Sequence, residues 1–337
     1  MELLEDVKLL WGVDDWTPER YLRINSGVEI KKASQFDLLA PLAGRNWRNV
    51  TRETPQTDLY GRYQPKDDWR QLTDKELCCL VGDADREALQ GAVQICRLPD
   101  ALFKLARLRI ESEVATGRNT TVARTGATEL REPALSDIKN AVQDWIFAEL
   151  CKTHPIGFRS FVRINPPGRN SSTGFRSRGW NGLHIDHWGG NVWLQMRRSY
   201  NGSRFIFNLG DEVRHFIFIN LKLCAIATRH SDCVPKDVHA MLMDRDCPMQ
   251  GLMANAFMEA YPDYPVARVS IPPGFGYIAA TTEILHDGYL AGKEKSDIAL
   301  LVQHEIPRDV AEAAGCAVAP LTYRDSWRDR CQRSVHA

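Results

Sequence analysis

The sequence lacks a surplus of either charge: Lys plus Arg and Asp plus Glu each total 43 in 337 residues. No global basic field therefore draws the protein to nucleic acid or to an acidic membrane. A small molecule is the expected partner. Also missing is any run of about 18 apolar residues that could span a bilayer. The first residues, MELLEDVKLLWGVDDW, carry acids where a secretory signal would carry basic residues and an apolar stretch. The nine cysteines include no Cys-x-x-Cys pair, and adjacent Cys78 and Cys79 suit neither a usual disulfide nor a zinc knuckle. Reduced thiols in a cytoplasmic protein are the expectation. There is no internal repeat or low-complexity block, and nothing in the sequence fixes an oligomeric state.

What remains is an ordinary globular composition, 44% hydrophobic and 26% charged. Helices are expected over 72–80, starting at Thr73, over 83–96, and over 100–110 with Leu102, Leu105, Leu108 and Ile110 on one face. Another is expected over 136–151, with Ile138, Val142, Trp145, Ile146 and Leu150 inward. The Gly- and Thr-rich stretch 114–133 reads as a loop over a ligand. Short β-branched and aromatic runs then appear at 158–164, 182–187, 191–197 and 204–209. A strand pair is expected over 214–227, a helix over 248–260, and strands at 266–271, 276–280 and 297–304. Helices first and strands afterwards predict an α+β chain: a mainly helical region 1–155, an all-β core 156–308 and a tail 309–337.

One of those runs, Gly182-Leu183-His184-Ile185-Asp186, carries chemistry. Side chains alternate across a strand, so His184 and Asp186 project to the same face and their tips can meet at one metal ion. His286, in a short apolar strand after the turn Pro272-Pro273-Gly274, is the candidate third ligand. Two imidazoles and one carboxylate on one face of an octahedron leave three positions open, the arrangement of non-haem Fe(II) oxygenases. His187, adjacent to Asp186, should face away. A zinc hydrolase using His184, Asp186 and His187 is the competing metal reading.

The order strand, His-x-Asp, intervening strands, Pro-Gly turn, His, final strand resembles the Fe(II)/2-oxoglutarate-dependent dioxygenase superfamily over roughly 158–307. The resemblance implies a double-stranded β-helix (jelly-roll, cupin-like) core, with Fe(II) held by His184, Asp186 and His286 and with 2-oxoglutarate and O₂ in the open positions. It implies oxidative decarboxylation to succinate and CO₂, coupled to hydroxylation or desaturation of a small molecule such as an amino acid or biosynthetic intermediate. A halogenase is disfavoured because Asp186 is present. The far carboxylate of 2-oxoglutarate then needs a cation, in many members an Arg-x-Ser about ten residues after the second His. That pattern is missing here. Lys295 is the first candidate, Arg204 the second, with Arg197 and Arg198 as further options and Asn191 as a possible amide donor. Arg163, Arg169, Arg176 and Arg178 suggest an anionic group on the substrate, and Trp188 and Trp193 an aromatic wall. The rivals are a metal-dependent oxidase or hydrolase that does not use 2-oxoglutarate, and a non-catalytic β-barrel binding protein.

Overall fold

The computed structural model describes residues 1–30, 63–82, 92–116, 120–122, 127–130, 135–146, 148, 156–167, 171–172, 174–175, 179–180, 182–186, 200–230 and 249–307. Its first elements are β1 (Lys8–Trp11), α1 (Pro18–Tyr21), β2 (Leu22–Ile24), β3 (Val28–Ile30), β4 (Tyr63–Pro65), α2 (Asp74–Leu80), β5 (Ala92–Arg97) and α3 (Asp100–Thr116). Then come β6 (Thr120–Val122), β7 (Thr128–Leu130), α4 (Ser136–Trp145), β8 (Ile156–Asn165), β9 (Gly174–Phe175), β10 (Gly179–Trp180), β11 (Tyr200–Asn208) and β12 (Arg214–Lys222). The rest are α5 (Leu223–Arg229), α6 (Met249–Ala260), β13 (Ala267–Ile271), β14 (Phe275–Ala279), β15 (Ile284–Tyr289) and β16 (Asp297–Pro307).

Two large sheets organise them. One has eight strands in the order β1-β5-β14-β11-β16-β8-β7-β6, and the other four, β15-β12-β13-β2. From β8 onward the chain alternates between them: β8 in the large sheet, 182–186 beside β15, β11 large, β12 and β13 small, β14 large, β15 small, β16 large. The facing sides share one core, in which Phe216, Phe218, Val269 and Ile271 of the small sheet meet Val93, Ile95, Ile206, Tyr277 and Leu301 of the large one. Outside the large sheet, Ala106 and Ile110 of α3 and Ile138 and Val142 of α4 cover Phe205, Phe207, Leu300 and Val302. On the far side of the small sheet, Phe257 and Met258 of α6 pack with Ile217, Ile219 and Leu285. These inward strand residues pack on apolar partners, as alternation of side chains along a strand allows.

Several expectations need correction. Among the described residues, 1–155 is not a mainly helical layer: β1, β5, β6 and β7 extend the large sheet and β2 the small one. Residues 92–97, expected at the end of a helix, form β5, paired with β1 in parallel and β14 antiparallel. Val93 and Ile95 enter the inter-sheet core while Cys96 enters the outer one, so the strand is apolar on both faces and shows no strict alternation to read. Helix α3 exists, but it buries Ala106, Ile110 and Glu113, leaving Leu105 44% and Leu108 67% exposed. The expected loop at 114–133 contains the end of α3 and the pair β6–β7 at the sheet edge. In 214–227 only β12 is a strand; Leu223–Arg229 turns into helix α5. By contrast α2 starts at Thr73 as read, through a capping box in which Thr73 and Glu76 bond reciprocally. No helix among the described residues is long and apolar enough to cross a membrane. The expected tail 309–337 and strand 191–197 lie outside the described residues.

Candidate metal centre

His184 and His286 sit directly opposite one another. The backbone N–H of each donates to the carbonyl of the other, at 3.0 and 2.9 Å, so their side chains leave the same face of an antiparallel pair. The two rings lie 4.8 Å apart. Asp186, two residues on, shares that face and is anchored by its N–H to the Thr281 carbonyl at 3.0 Å. Asp186 Oδ1 is 3.7 Å from His184 Nε2, and Oδ2 is 3.4 Å from His286 Nε2. One ligand atom from each of the three falls within 4.8 Å of the others. All three residues are buried, at 5–7% exposure.

The outer nitrogens fix the inner ones. His184 Nδ1 lies 2.7 Å from the Gly182 carbonyl and His286 Nδ1 lies 3.0 Å from the Ile284 carbonyl. A carbonyl can only accept, so both Nδ1 atoms carry the proton and both Nε2 atoms present a lone pair inward. His184 Nε2 has no hydrogen-bond partner although it is buried. Gly182, at φ 64°, takes a left-handed turn that leaves no room for a Cβ beside the Tyr63 carbonyl, and it delivers the carbonyl that orients His184. A buried, unpartnered imidazole lone pair beside a carboxylate, with the other ring nitrogen tied to backbone, is the donor set a divalent ion takes. Donors about 2.1 Å from one ion stand about 3 Å apart, and the Asp186 contacts with His184 and His286, at 3.7 and 3.4 Å, lie near that spacing.

The electrostatics agree. Burial pushes the Asp186 carboxyl up, but the group is held well below the usual carboxylate range, the charge of the Arg204 guanidinium being the leading opposing influence. Arg204, from β11 of the opposite sheet, brings Nε to 2.8 Å from Asp186 Oδ2. This is an ion pair by distance; the N–H is not aimed along the contact, and it forms no hydrogen bond there. Below the triad, Phe216 packs 5.9 Å from the His286 ring and stacks on Tyr277 at 4.1 Å, making an apolar floor. Burial pushes the Tyr277 phenol up, keeping it neutral.

The residues read from sequence as cosubstrate contacts separate here. Arg204 joins the triad. Lys295 does not: its side chain is 63% exposed, with Nζ 3.9 Å from Asp211, because it lies in the turn outside β16. Asn191, His187, Trp188, Trp193, Arg169, Arg176, Arg178, Arg197 and Arg198 lie outside the described residues. Arg163 pairs with Glu129 at 2.9 Å. His215 is on the outer face of the small sheet, and burial takes its pKa down to about 4.

Sequence reasoning missed a second polar group between the sheets. Asp297, the first residue of β16, accepts from Arg214 of β12 at 3.0 Å, Lys293 at 3.2 Å and Asn165 of β8 at 3.1 Å. All four residues are buried. Arg214 Nη2 also points toward Ser172 Oγ, and a Cβ on Gly288 would come within 2.6 Å of that nitrogen. Gly288 shares the face of β15 that carries His286, so this guanidinium lies one side-chain repeat along from the triad. The available signal was an acid at the start of the final strand, where an Arg was sought.

No protein-family model matches the sequence, and no curated protein matches it. Among solved structures, the chain is similar to the Kdo hydroxylase KdoO, a non-haem Fe(II) α-ketoglutarate-dependent dioxygenase, in complex with α-ketoglutarate and Fe(III). That pair is 12% identical, with 74% of this chain and 87% of the other covered and a TM-score of 0.41. It is also similar to a Pseudomonas putida prolyl-4-hydroxylase, at 13% identity, coverage of 64% and 92%, and TM-score 0.34. A third is the epimerase SnoN in complex with Fe³⁺, α-ketoglutarate and nogalamycin RO, at 11%, 68% and 88%, and 0.36.

Proposed function

We propose that the protein is a non-haem Fe(II)/2-oxoglutarate-dependent oxygenase acting on a small molecule, built on a double-stranded β-helix. The supporting fold observation is the alternation of eight segments from β8 to β16 between two facing sheets. The observation that carries the function is narrower. Two imidazoles, each locked by a backbone carbonyl into the tautomer that offers Nε2, converge with one carboxylate in a buried site. His184, Asp186 and His286 would hold the iron.

When bound, the iron supplies O₂ activation coupled to decarboxylation of 2-oxoglutarate. The chain's own residues do the rest. The Gly182 and Ile284 carbonyls hold the imidazoles with Nε2 already turned toward the site. Phe216, Phe218 and Tyr277 fill the inter-sheet space beside the triad and keep water away from the reacting centre. For the far carboxylate of 2-oxoglutarate, the buried pair Arg214 and Lys293 replaces exposed Lys295. One carboxylate, Asp297, cannot neutralise both cations, and Arg214 Nε has no hydrogen-bond partner. A second carboxylate would complete the cluster.

The test is anaerobic titration of iron-loaded protein with 2-oxoglutarate, watching for the weak visible metal-to-ligand charge-transfer band. The band should appear in the wild type and vanish in His184→Ala. Succinate should form aerobically. O₂ uptake with 2-oxoglutarate left intact would instead select a metal-dependent oxidase, and turnover without O₂ a hydrolase.

A further inference from the structure

Helix α3 turns an apolar stripe to the outside. Ala106 and Ile110, with Phe103 beside them, pack inward among the residues of the large sheet and α4. Ala101, Leu105, Leu108, Ser112 and Ala115 are all exposed, Leu105 by 44% and Leu108 by 67%. They recur at alternating steps of four and three residues, the spacing of a coiled-coil seam, on the side of the helix opposite the buried residues. We infer that α3 is a self-association surface, on which a second copy of the chain docks its own α3 antiparallel about a two-fold axis. In that register Leu105 of each copy lies opposite Leu108 of the other, and Ala101 opposite Ser112. Two leucine layers are thus flanked by small residues that let the helices approach. Charge selects the direction. Antiparallel pairing sets exposed Lys104 of one copy beside Glu111 of the other, twice by symmetry, whereas parallel pairing would set Lys104 against Arg109. Glu111 is 61% exposed at the side chain and open to that contact beside its 3.4 Å pair with Arg107. The residues that α3 buries lie away from the seam, so the two molecules stand on opposite sides of the helix pair. With 17 residues the helix is about 25 Å long. One such contact is smaller than the surface a permanent dimer buries, so the dimer forms and dissociates with concentration.

Sedimentation velocity over a concentration series tests this on wild type, Leu108→Glu, Lys104→Glu, Glu111→Lys and the double variant Lys104→Glu/Glu111→Lys. Circular dichroism checks that each variant is folded, and should Leu108→Glu fail to fold, the charge variants carry the test. Wild type should dimerise with micromolar affinity. Leu108→Glu puts a charge into both leucine layers and should raise the dissociation constant by roughly 100-fold. Each single charge reversal should raise it by roughly 5-fold. The double variant re-forms both cross-pairs in the opposite sense and should return to within about 2-fold of wild type. A wild type that stays monomeric up to about 1 mM overturns the inference and leaves the stripe to a different partner. A dimer that Leu108→Glu does not weaken has its interface elsewhere, which overturns it too. A double variant no tighter than the single reversals overturns the antiparallel pairing.

Discussion

Replacing Asp297 with Asn keeps the shape of the side chain and removes one charge from a deeply buried polar cluster. Asp297 and Arg214 are each 2% exposed at the side chain and Lys293 is 5% exposed. Burying a charge is tolerable only when it is paired, and removing one member of a buried pair costs roughly 3–5 kcal/mol because the other is left uncompensated. Here one substitution strands two cations, so the loss should fall at the upper end of that range. Lys293→Met is the control. It leaves Asp297 with Arg214 and Asn165, at 3.0 and 3.1 Å, and should cost only about 1.5–3 kcal/mol, the worth of one charge-assisted hydrogen bond. Adding Arg214→Met to Asp297→Asn should recover part of the stability, since one of the two stranded cations leaves too. Urea unfolding at neutral pH, with equal slopes, reads all four proteins. A loss below about 1 kcal/mol for Asp297→Asn would show that water reaches the cluster. Equal losses for Asp297→Asn and Lys293→Met would show that the carboxylate is not the hub. Either result refutes the reasoning. Because the Asn variant carries more uncompensated positive charge, added 2-oxoglutarate should also stabilise it more than it stabilises the wild type.

Two further outcomes are expected. Gly288→Ala would push a methyl into Ser172 Oγ and to within 2.6 Å of Arg214 Nη2. It should destabilise by about 1–3 kcal/mol and weaken 2-oxoglutarate binding while sparing Mn(II), as parallel calorimetric titrations would show. His215 has a folded pKa of about 4, depressed first by burial and then by the charges of Arg268, Lys293 and Arg214, with Asp297 opposing. A base with a depressed folded pKa binds its proton mainly in the unfolded chain, so it contributes stability above about pH 6.5 that is lost as pH falls toward 4. The difference between wild-type and His215→Gln unfolding curves should change by about 3 kcal/mol across that window, and a flat difference would refute the burial argument.

The fold was legible where structure is locally encoded. The start of α2 is written in Thr73 and Glu76, whose bonds span three residues. Strand β13 alternates buried and partly buried positions, so the sequence carries its period. Strand β5 is different. The core between the sheets covers one of its faces and the layer of α3 and α4 the other, and a strand covered twice looks in sequence like a buried helix turn. The face of α3 was misread for a related reason. Helical spacing groups Leu102, Leu105 and Leu108, but small Ala106 lets the helix approach Phe205 and Phe207, and distant residues decide that approach.

The site divided along the same line. His184 and Asp186 could be read because two-residue alternation is a property of the backbone alone, and the ladder opposite His286 completed them. The charged residues could not, since nothing local distinguishes a buried Arg from a solvated one. Their arrangement nevertheless has a logic. The small-sheet side presents Asp186 and Arg214 to the interface, and the large sheet presents Arg204 and Asp297. Each side brings one acid and one base, and the two pairs cross in opposite senses. A slip of one sheet against the other would break both pairs at once and leave four buried charges, each costing several kcal/mol. An apolar interface alone tolerates such a slip far better, because hydrophobic contact is non-directional. The crossed pairs therefore specify the alignment of the sheets, and with it the position of Arg204 beside Asp186. The metal ligands are thus set by local backbone geometry, and their surroundings by charges that acquire meaning only when the sheets meet.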